Sequence, residues 1–323
     1  MYTYSSIRHV HLEISTRCNA ACPGCPRNLC GVDVIDDFPL HDMRLDEAKK
    51  IFTPTFLTQL EIIHINGNLG DFVTARDGIE IIEYFRESNP RLNIKISTNG
   101  GTKPLEFWVK LAKLGVHVIF GIDGLSDTHS LYRQQTKFDV VIENAKSFIN
   151  AGGRATWKMI RFNHNEHQVE ECRNLSDALG FFNFELVDHG RDAFPVFDQK
   201  GKHTHSIGNH TQPTDFEKIL WIRFEAVDSN RQITLPPSKI SCESKAMSSI
   251  YVTATGEIYP CCYLGFYPRN MYMNGNAEVA NILPQNNNAL DIGIEQAMLW
   301  FNKVEKSWDS HQLFHCINNC SIK

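Results

Sequence analysis

The segment HVHLEISTRCNAACPGCPRN, residues 9–28, carries the pattern from which the fold can be read. Its first part, residues 9–15, alternates apolar and polar residues, which predicts a β-strand. Its second part places Cys18, Cys22 and Cys25 in a C-x3-C-x2-C pattern directly after that strand. Three closely spaced thiolates on a loop can bind three irons of a cubane cluster and leave the fourth iron without a protein ligand.

The residues that follow alternate between strand patterns and helix patterns. Further strands are predicted over 60–66, 92–98, 116–122, 154–160 and 182–187, and helices over 44–52, 78–88, 104–114, 138–150 and 166–179. Strands that alternate with helices pair in parallel through right-handed crossovers. Six such units are too few for a closed eight-unit barrel, so the sequence predicts an α/β fold, a partial (β/α)6 TIM-like barrel. In such barrels the chemistry lies at the carboxyl ends of the strands.

A second group of cysteines lies near the end of the chain and consists of Cys242, Cys261, Cys316 and Cys320. Between its first two members, residues 250–260 (IYVTATGEIYP) predict a β-hairpin that turns at Thr255 and Gly256. A hairpin returns the chain and can bring its flanking thiols together. Four thiolates are a complete ligand set for a closed cluster. Cys262 is a spare neighbour of Cys261.

These patterns divide the chain into three parts. The barrel is expected over residues 1–190 and a small domain, which contains the hairpin, over 241–323. Residues 191–240 are expected to be a linker with one helix, at 215–227, because residues 198–215 are polar and rich in His, Gly and Thr.

Composition limits the classes of function. The chain has 323 residues, ten cysteines and a net charge of −5, so it shows no basic footprint for binding nucleic acid. No run of about 18 apolar residues predicts a membrane span. The polar start of the chain does not match a signal peptide, so a cytoplasmic protein is expected. In that compartment clustered cysteines indicate metal or redox use rather than disulfides.

Zinc is the alternative to iron in both groups. The first group could be a structural zinc knuckle whose fourth ligand lies elsewhere in the chain, with Cys30 as one candidate, and the second a four-cysteine zinc site or unrelated buried thiols. The protein would then be a zinc-binding interaction protein without catalysis.

The three-cysteine pattern and its position after the first strand resemble the radical S-adenosylmethionine (SAM) superfamily. The resemblance implies an enzyme with a 4Fe–4S cluster whose open iron binds SAM. It also implies that SAM is reductively cleaved to a 5′-deoxyadenosyl radical, which abstracts a hydrogen atom from a substrate. An electron donor such as flavodoxin or ferredoxin would supply the electron.

Two further segments resemble SAM-binding parts of this family. HINGNLGD (64–71) has Gly67 and Asn68 where the family has a Gly-Glu pair that holds the SAM amino group, and Asp71 is a possible substitute acceptor. ISTNGG (96–101) resembles the segment near the SAM ribose and carboxylate, which assigns Ser97 and Asn99 to the cofactor. An ordinary Asn-Gly turn is the other interpretation of this second segment.

The segment GIDGLSDTHSLYR (121–133) resembles one found in the peptide-modifying branch. Asp123 and Arg133 would then be catalytic residues that face the active site. Their other interpretations are a turn at Asp123-Gly124 and a solvated helix charge at Arg133.

The C-terminal cysteines resemble the auxiliary-cluster domain of the family. Its short form, called twitch, holds one 4Fe–4S cluster, and the longer SPASM form needs more cysteines than this group supplies. The resemblance therefore implies a second, auxiliary 4Fe–4S cluster. It also implies a peptide or protein substrate that is crosslinked, epimerised or oxidised. A radical SAM enzyme that dehydrogenates or rearranges a small metabolite is the alternative.

Overall fold

The structure of the chain is a computed structural model, which describes residues 3–25, 27–33, 40–188, 194–208, 239–266, 282–308 and 313–322. The described strands are β1 (His9–Leu12), β2 (Asn28–Leu29), β3 (Val32–Asp33), β4 (Ile62–Ile65), β5 (Asn93–Thr98), β6 (His117–Gly121), β7 (Arg154–Arg161), β8 (Asn183–Asp188), β9 (Phe194–Phe197), β10 (His203–Ile207), β11 (Ser249–Val252) and β12 (Ile258–Tyr259).

The described α-helices are α1 (Leu45–Ile51), α2 (Pro54–Gln59), α3 (Gly78–Ser88), α4 (Leu105–Lys113), α5 (His129–Tyr132), α6 (Phe138–Asn150), α7 (Val169–Ala178), α8 (Glu243–Ala246), α9 (Cys262–Phe266), α10 (Ala289–Ala297), α11 (Phe301–Ser307) and α12 (Phe314–Cys320). Single 3-10 turns occupy 4–6, 72–74 and 166–168. Among the described residues, no helix is both long and apolar enough to cross a membrane.

An eight-stranded sheet forms the centre of the molecule, in the order β12-β11-β1-β4-β5-β6-β7-β8. The six predicted strands, β1 and β4 to β8, pair in parallel in the order in which they occur in the chain. The predicted α/β fold is therefore confirmed.

Alternation along the strands separates two faces of this sheet. One face carries apolar residues such as Val10, Ile63 and Ile94, which are buried in the main hydrophobic core together with residues of α3, α4 and α6. The opposite, inner face carries polar residues at the intervening positions, among them His11 and His64. The inner face and the carboxyl ends of the strands are therefore where polar chemistry can be placed.

The C-terminal hairpin is present as β11 and β12, and it joins the central sheet. β11 pairs in parallel with β1, in register from His9 opposite Ser249 to Leu12 opposite Val252. A partial barrel leaves its first strand with an unpaired edge, and strand edges are usually covered. β11 supplies that cover, so segments about 240 residues apart in the chain become neighbours.

The structure differs from the loop expected over 198–215. Residues 203–207 form β10, which pairs antiparallel with β9. Val196 of β9 and Ile207 of β10 are buried against the cysteine loop, and that burial stabilises β10, whose sequence is otherwise polar. The predicted helix at 215–227 lies outside the described residues, and the division into a barrel, a linker and a small domain stays a prediction.

Candidate active site

The loop after β1 brings Cys18, Cys22 and Cys25 into one small apolar cluster. Cys22 packs with Tyr132 and Phe162, and Cys18 and Cys25 lie at the edge of the same cluster. Backbone turns hold the loop, because Cys25 N–H donates to the Cys22 carbonyl at 3.0 Å and Asn28 N–H donates to the Cys25 carbonyl at 2.9 Å.

Burial raises the pKa of Cys22 to about 11 and also raises the pKa of Cys18. Thiolates are thus disfavoured here unless a positive group compensates them. Grouped thiols on a loop are the donor set of an iron–sulfur cluster, which places one thiolate on each of three separate irons. In the described part of the chain, no three His, Cys, Asp or Glu side chains are close enough together to share one metal ion.

A buried ion pair lies beside the Cys22 sulfur. Arg133 Nε donates to Asp123 Oδ2 at 2.6 Å, and the Ile160 N–H donates to Asp123 Oδ1 at 2.6 Å. Arg133 Nη1 lies 4.0 Å from Cys22 Sγ, and its positive charge partly offsets the effect of burial on the pKa of Cys22. The Asp123 side chain is fully buried and that of Arg133 is 19% exposed, so Arg133 is not a solvated helix charge.

Two neighbours keep this ion pair in place. A Cβ atom at position 121 would come within 2.7 Å of Arg133 Nη2, so the glycine there leaves room for the guanidinium group in its present position. His129 accepts a hydrogen bond from the Asp123 N–H at its Nδ1 (3.2 Å), and its Nε2 lies 3.0 Å from Thr136 Oγ1. Burial, together with the nearby Arg133, lowers the pKa of His129 to about 3. His129 is therefore neutral around pH 7.

Asp71 is committed to holding the segment that follows β5. Its carboxylate accepts hydrogen bonds from Val73 N–H (3.1 Å), Thr98 Oγ1 (2.6 Å), Asn99 N–H (2.7 Å) and Asn99 Nδ2 (2.7 Å). Burial raises its pKa, against the effect of these bonds. Asn99 Nδ2 also lies 3.7 Å from Cys18 Sγ, so Asp71 orients an amide that reaches a cysteine of the first group.

The remaining predicted cofactor residues lie on the inner face of the sheet, as Ser97 does, or in the turn that follows the carboxyl end of β4, as Gly67 and Asn68 do. Ser97 Oγ is 2.9 Å from His64 Nε2, and burial with nearby positive charges lowers the pKa of His64 to about 3. Gly67 has a φ of +58°, and a side chain there would come within 2.5 Å of the Gly70 carbonyl, so this turn requires glycine. The Asn68 side chain turns inward, with Nδ2 3.4 Å from His11 Nε2.

The four C-terminal cysteines come from three segments of the chain: Cys242 directly precedes α8, Cys261 directly precedes α9, and Cys316 and Cys320 lie in α12. The Ser241 N–H donates to the Cys320 carbonyl at 2.7 Å, which brings Cys242 beside Cys320. A hydrogen bond between these two thiols lowers the pKa of Cys320. Burial raises the pKa of Cys261, and Cys316 and Cys320 are close enough to raise it further.

Two of the three cysteines outside these two groups, Cys30 and Cys262, have separate surroundings. Cys262 is directed to the barrel, where its thiol hydrogen-bonds to His11. Cys30 is buried in the tight turn between β2 and β3 with a φ of +52°, and its carbonyl accepts the Phe197 N–H at 2.9 Å.

Sequence reasoning missed Glu13, His11 and His129. His11 and Glu13 occupy alternate positions of the first strand pattern, which is the signal that could have assigned them to the inner face. His129 gave no comparable signal, because its role depends on a contact with Asp123 across a loop.

Comparison with solved structures gives clear matches. SuiB from Streptococcus suis bound to S-adenosylmethionine matches with a TM-score of 0.56 and 13% identity over 79% of this chain and 60% of SuiB. SuiB bound to its precursor peptide SuiA matches with a TM-score of 0.58 and 13% identity over 92% of this chain and 65% of SuiB. The chain thus spans less than two thirds of the length of SuiB.

A third match is a histidine-tagged form of the protein anSMEcpe with bound AdoMet, with a TM-score of 0.55 and 14% identity over 96% of this chain and 80% of that protein. No protein-family model matches the sequence, and no curated protein sequence matches it either. SuiB and anSMEcpe were both solved with bound S-adenosylmethionine. The described part of this chain therefore has the same fold as these two S-adenosylmethionine-binding proteins.

Proposed function

We propose that this protein is a radical SAM enzyme that abstracts a hydrogen atom from a peptide or protein substrate. The observation that carries the proposal is the gathering of Cys18, Cys22 and Cys25 in one apolar cluster, on a loop that follows the first strand of this fold. When bound to these thiolates, a 4Fe–4S cluster supplies the electron that cleaves SAM to methionine and a 5′-deoxyadenosyl radical.

The residues around the loop fit the support of such a cluster. Arg133 Nη1 at 4.0 Å from Cys22 Sγ and Asn99 Nδ2 at 3.7 Å from Cys18 Sγ present N–H groups to sulfurs that would be negatively charged. Hydrogen bonds to the sulfurs are one of the means by which proteins tune a cluster. Asp123 holds Arg133 in this position. Asp123 and Arg133 are thus proposed to act at the active site.

The cofactor segment is proposed to include Gly67, Asn68, Ser97 and Asn99. Asp71, also assigned to this segment by its sequence, has its carboxylate occupied by four hydrogen bonds. We therefore assign it to the orientation of Asn99 rather than to direct contact with SAM.

We further propose that a second 4Fe–4S cluster is bound by Cys242, Cys261, Cys316 and Cys320. Support comes from the hydrogen bond between the Cys242 and Cys320 thiols and from the proximity of Cys316 and Cys320 to Cys261, whose pKa they raise. Four thiolates complete the ligand set, so no iron of this cluster would be open to SAM.

The proposed substrate class rests on the likeness to SuiB, which was crystallised with the precursor peptide SuiA. A flavodoxin or ferredoxin is the proposed electron donor, since the reductive cleavage needs one electron from outside the chain.

The test is SAM cleavage by anaerobically reconstituted protein with dithionite as the reductant. The protein should form 5′-deoxyadenosine, and the triple variant Cys18→Ala/Cys22→Ala/Cys25→Ala should not. Cys30→Ala is the matched control, since it removes a buried thiol from the same loop region and should leave cleavage intact. Full cleavage by the triple variant, or zinc bound to a site that needs Cys30, would contradict the proposal.

A further inference from the structure

A buried carboxylate lies directly under the turn at residues 66–69. Glu13 follows β1, is 1% exposed, and its oxygens accept the Asn68 N–H at 2.7 Å and the Leu69 N–H at 3.3 Å. Placing an ionised carboxylate out of water is unfavourable unless hydrogen bonds and charges compensate it. The compensation at Glu13 includes two consecutive backbone N–H groups of this one turn.

These two hydrogen bonds fix the direction of the turn's carbonyl groups. In a trans peptide the N–H of one residue and the carbonyl of the residue before it point in opposite directions, and none of the described peptide bonds is cis. The carbonyls of Gly67 and Asn68 are therefore directed away from Glu13. No described residue donates a hydrogen bond to either carbonyl, and both residues are half-buried.

Neighbouring side chains hold Glu13 itself. His11 Nε2 lies 3.6 Å from Glu13 Oε1, and the His11 ring packs edge-on against the Tyr251 ring at 4.9 Å between centroids. Cys262 hydrogen-bonds to His11 from the C-terminal half of the chain. The Glu13 N–H donates to the Val252 carbonyl at 2.9 Å, so β11 also fixes the backbone at this position.

We infer that Glu13 is a positioning residue for SAM: it aims the carbonyls of Gly67 and Asn68 at the ammonium group of the cofactor. The inference rests on the proposed function. An ammonium group has three N–H donors and no acceptor, so it requires oxygen acceptors such as free carbonyls. Asn68 has no carboxylate to offer to the ammonium group. Glu13 instead holds the N–H groups of Asn68 and Leu69, which fixes the orientation of the carbonyls on the other side of the turn.

The experiment compares Glu13→Gln with the unaltered protein. Glutamine keeps the shape but offers one acceptor and one donor, so one of the two N–H groups faces an amide N–H. In the protein without SAM, hydrogen exchange at the amides of Asn68 and Leu69 should accelerate. The Kd for SAM, measured by equilibrium dialysis with the reconstituted protein, should rise by at least about tenfold, the ratio that corresponds to about 1.4 kcal/mol.

Kinetics separate positioning from a general structural role. The KM for SAM should rise while kcat for 5′-deoxyadenosine at saturating SAM and the iron content stay close to their original values. Glu61→Gln is the matched control, because Glu61 forms the corresponding His–Glu pair at the other end of β1, 3.7 Å from His9, and is 67% exposed. This control should change neither the exchange nor the Kd.

Glu13→Asp is a second variant, in which the carboxylate keeps its charge but lies one methylene farther from the turn. This variant tests the inference if Glu13→Gln does not fold. Its Kd should also rise. Unchanged exchange at residues 68 and 69, or an unchanged Kd in these variants, would overturn the inference and leave the proposed function intact. Failure of the unaltered protein to bind SAM would instead overturn the proposed function and this inference with it.

Discussion

Replacing Asp123 with Asn should destabilise the protein through the ion pair beside Cys22. The change keeps the size of the side chain but removes the charge opposite Arg133. It also places an amide N–H against either the Arg133 Nε–H or the Ile160 N–H, which both donate to Asp123 at 2.6 Å in the unaltered protein. Arg133 would then retain its charge in a site where only 19% of its side chain is exposed.

The expected loss of unfolding free energy follows from this burial. Removing one partner of a buried ion pair costs about 3–5 kcal/mol. The remaining exposure of Arg133 allows some hydration, so the lower end, about 3 kcal/mol, is expected. A loss of this size is a large fraction of the about 5–15 kcal/mol that separates most folded proteins from their unfolded states.

Urea-induced unfolding of the anaerobically purified proteins measures the effect, with all variants in the same state of iron loading. The double variant Asp123→Asn/Arg133→Gln should be more stable than the sum of the two single losses predicts, because the second change removes the uncompensated charge. Glu185→Gln is the control, since it breaks the 2.7 Å pair with Lys158 on neighbouring strands, where both side chains are about 40% exposed. It should cost less than about 1 kcal/mol.

A loss below about 1 kcal/mol for Asp123→Asn, equal to that of the exposed control, would refute the reasoning from burial. Strict additivity of the two single changes would refute the coupling between the two side chains.

Two further changes follow from the described contacts. His129 has a pKa of about 3 in the folded protein, below its ordinary value of 6.5, so only the unfolded chain takes up a proton at this residue as the pH falls through 6.5. This difference should lower the free energy of unfolding by about 2 kcal/mol between pH 7 and pH 5. Parallel urea titrations at the two pH values should show that the variant His129→Gln lacks this loss. Replacing Cys242, Cys261, Cys316 and Cys320 by Ala should lower iron from about eight to about four per chain and accelerate proteolysis of residues 241–323 more than that of the barrel, and unchanged iron content would contradict the second cluster.

The barrel was predictable from the sequence because its elements are strongly periodic. The helix predicted over 78–88 and the helix predicted over 138–150 have these bounds in the structure as well. Each carries an apolar stripe on one face, and the strands between them alternate with period two. Local patterns of this kind do not depend on distant contacts, and they can therefore be recognised from the sequence alone.

The features of the structure that could not be predicted from the sequence depend on contacts between distant segments of the chain. The pairing of β11 with β1 joins residues about 240 positions apart, and no local pattern records it. β10 has a polar sequence and becomes a strand through its pairing with β9 and the burial of Ile207. The residues Asp123-Gly124 are typical of an ordinary turn and equally of a functional site. The sequence alone does not show that Asp123 forms a 2.6 Å ion pair with Arg133.

The position of β1 in the sheet connects the two groups of cysteines. This four-residue strand pairs with β4 on one side and with β11 on the other, and its chain continues directly into Glu13 and the loop of Cys18. β11 in turn continues through its hairpin to Cys261, and Cys262 returns to contact His11 of β1. Without β11, β1 would become an edge strand with one row of backbone groups unpaired, and the turn held by Glu13 would lose the Val252 contact. The order of the first cysteine loop therefore depends on residues of the C-terminal hairpin, although its three cysteines all lie within eight residues of sequence.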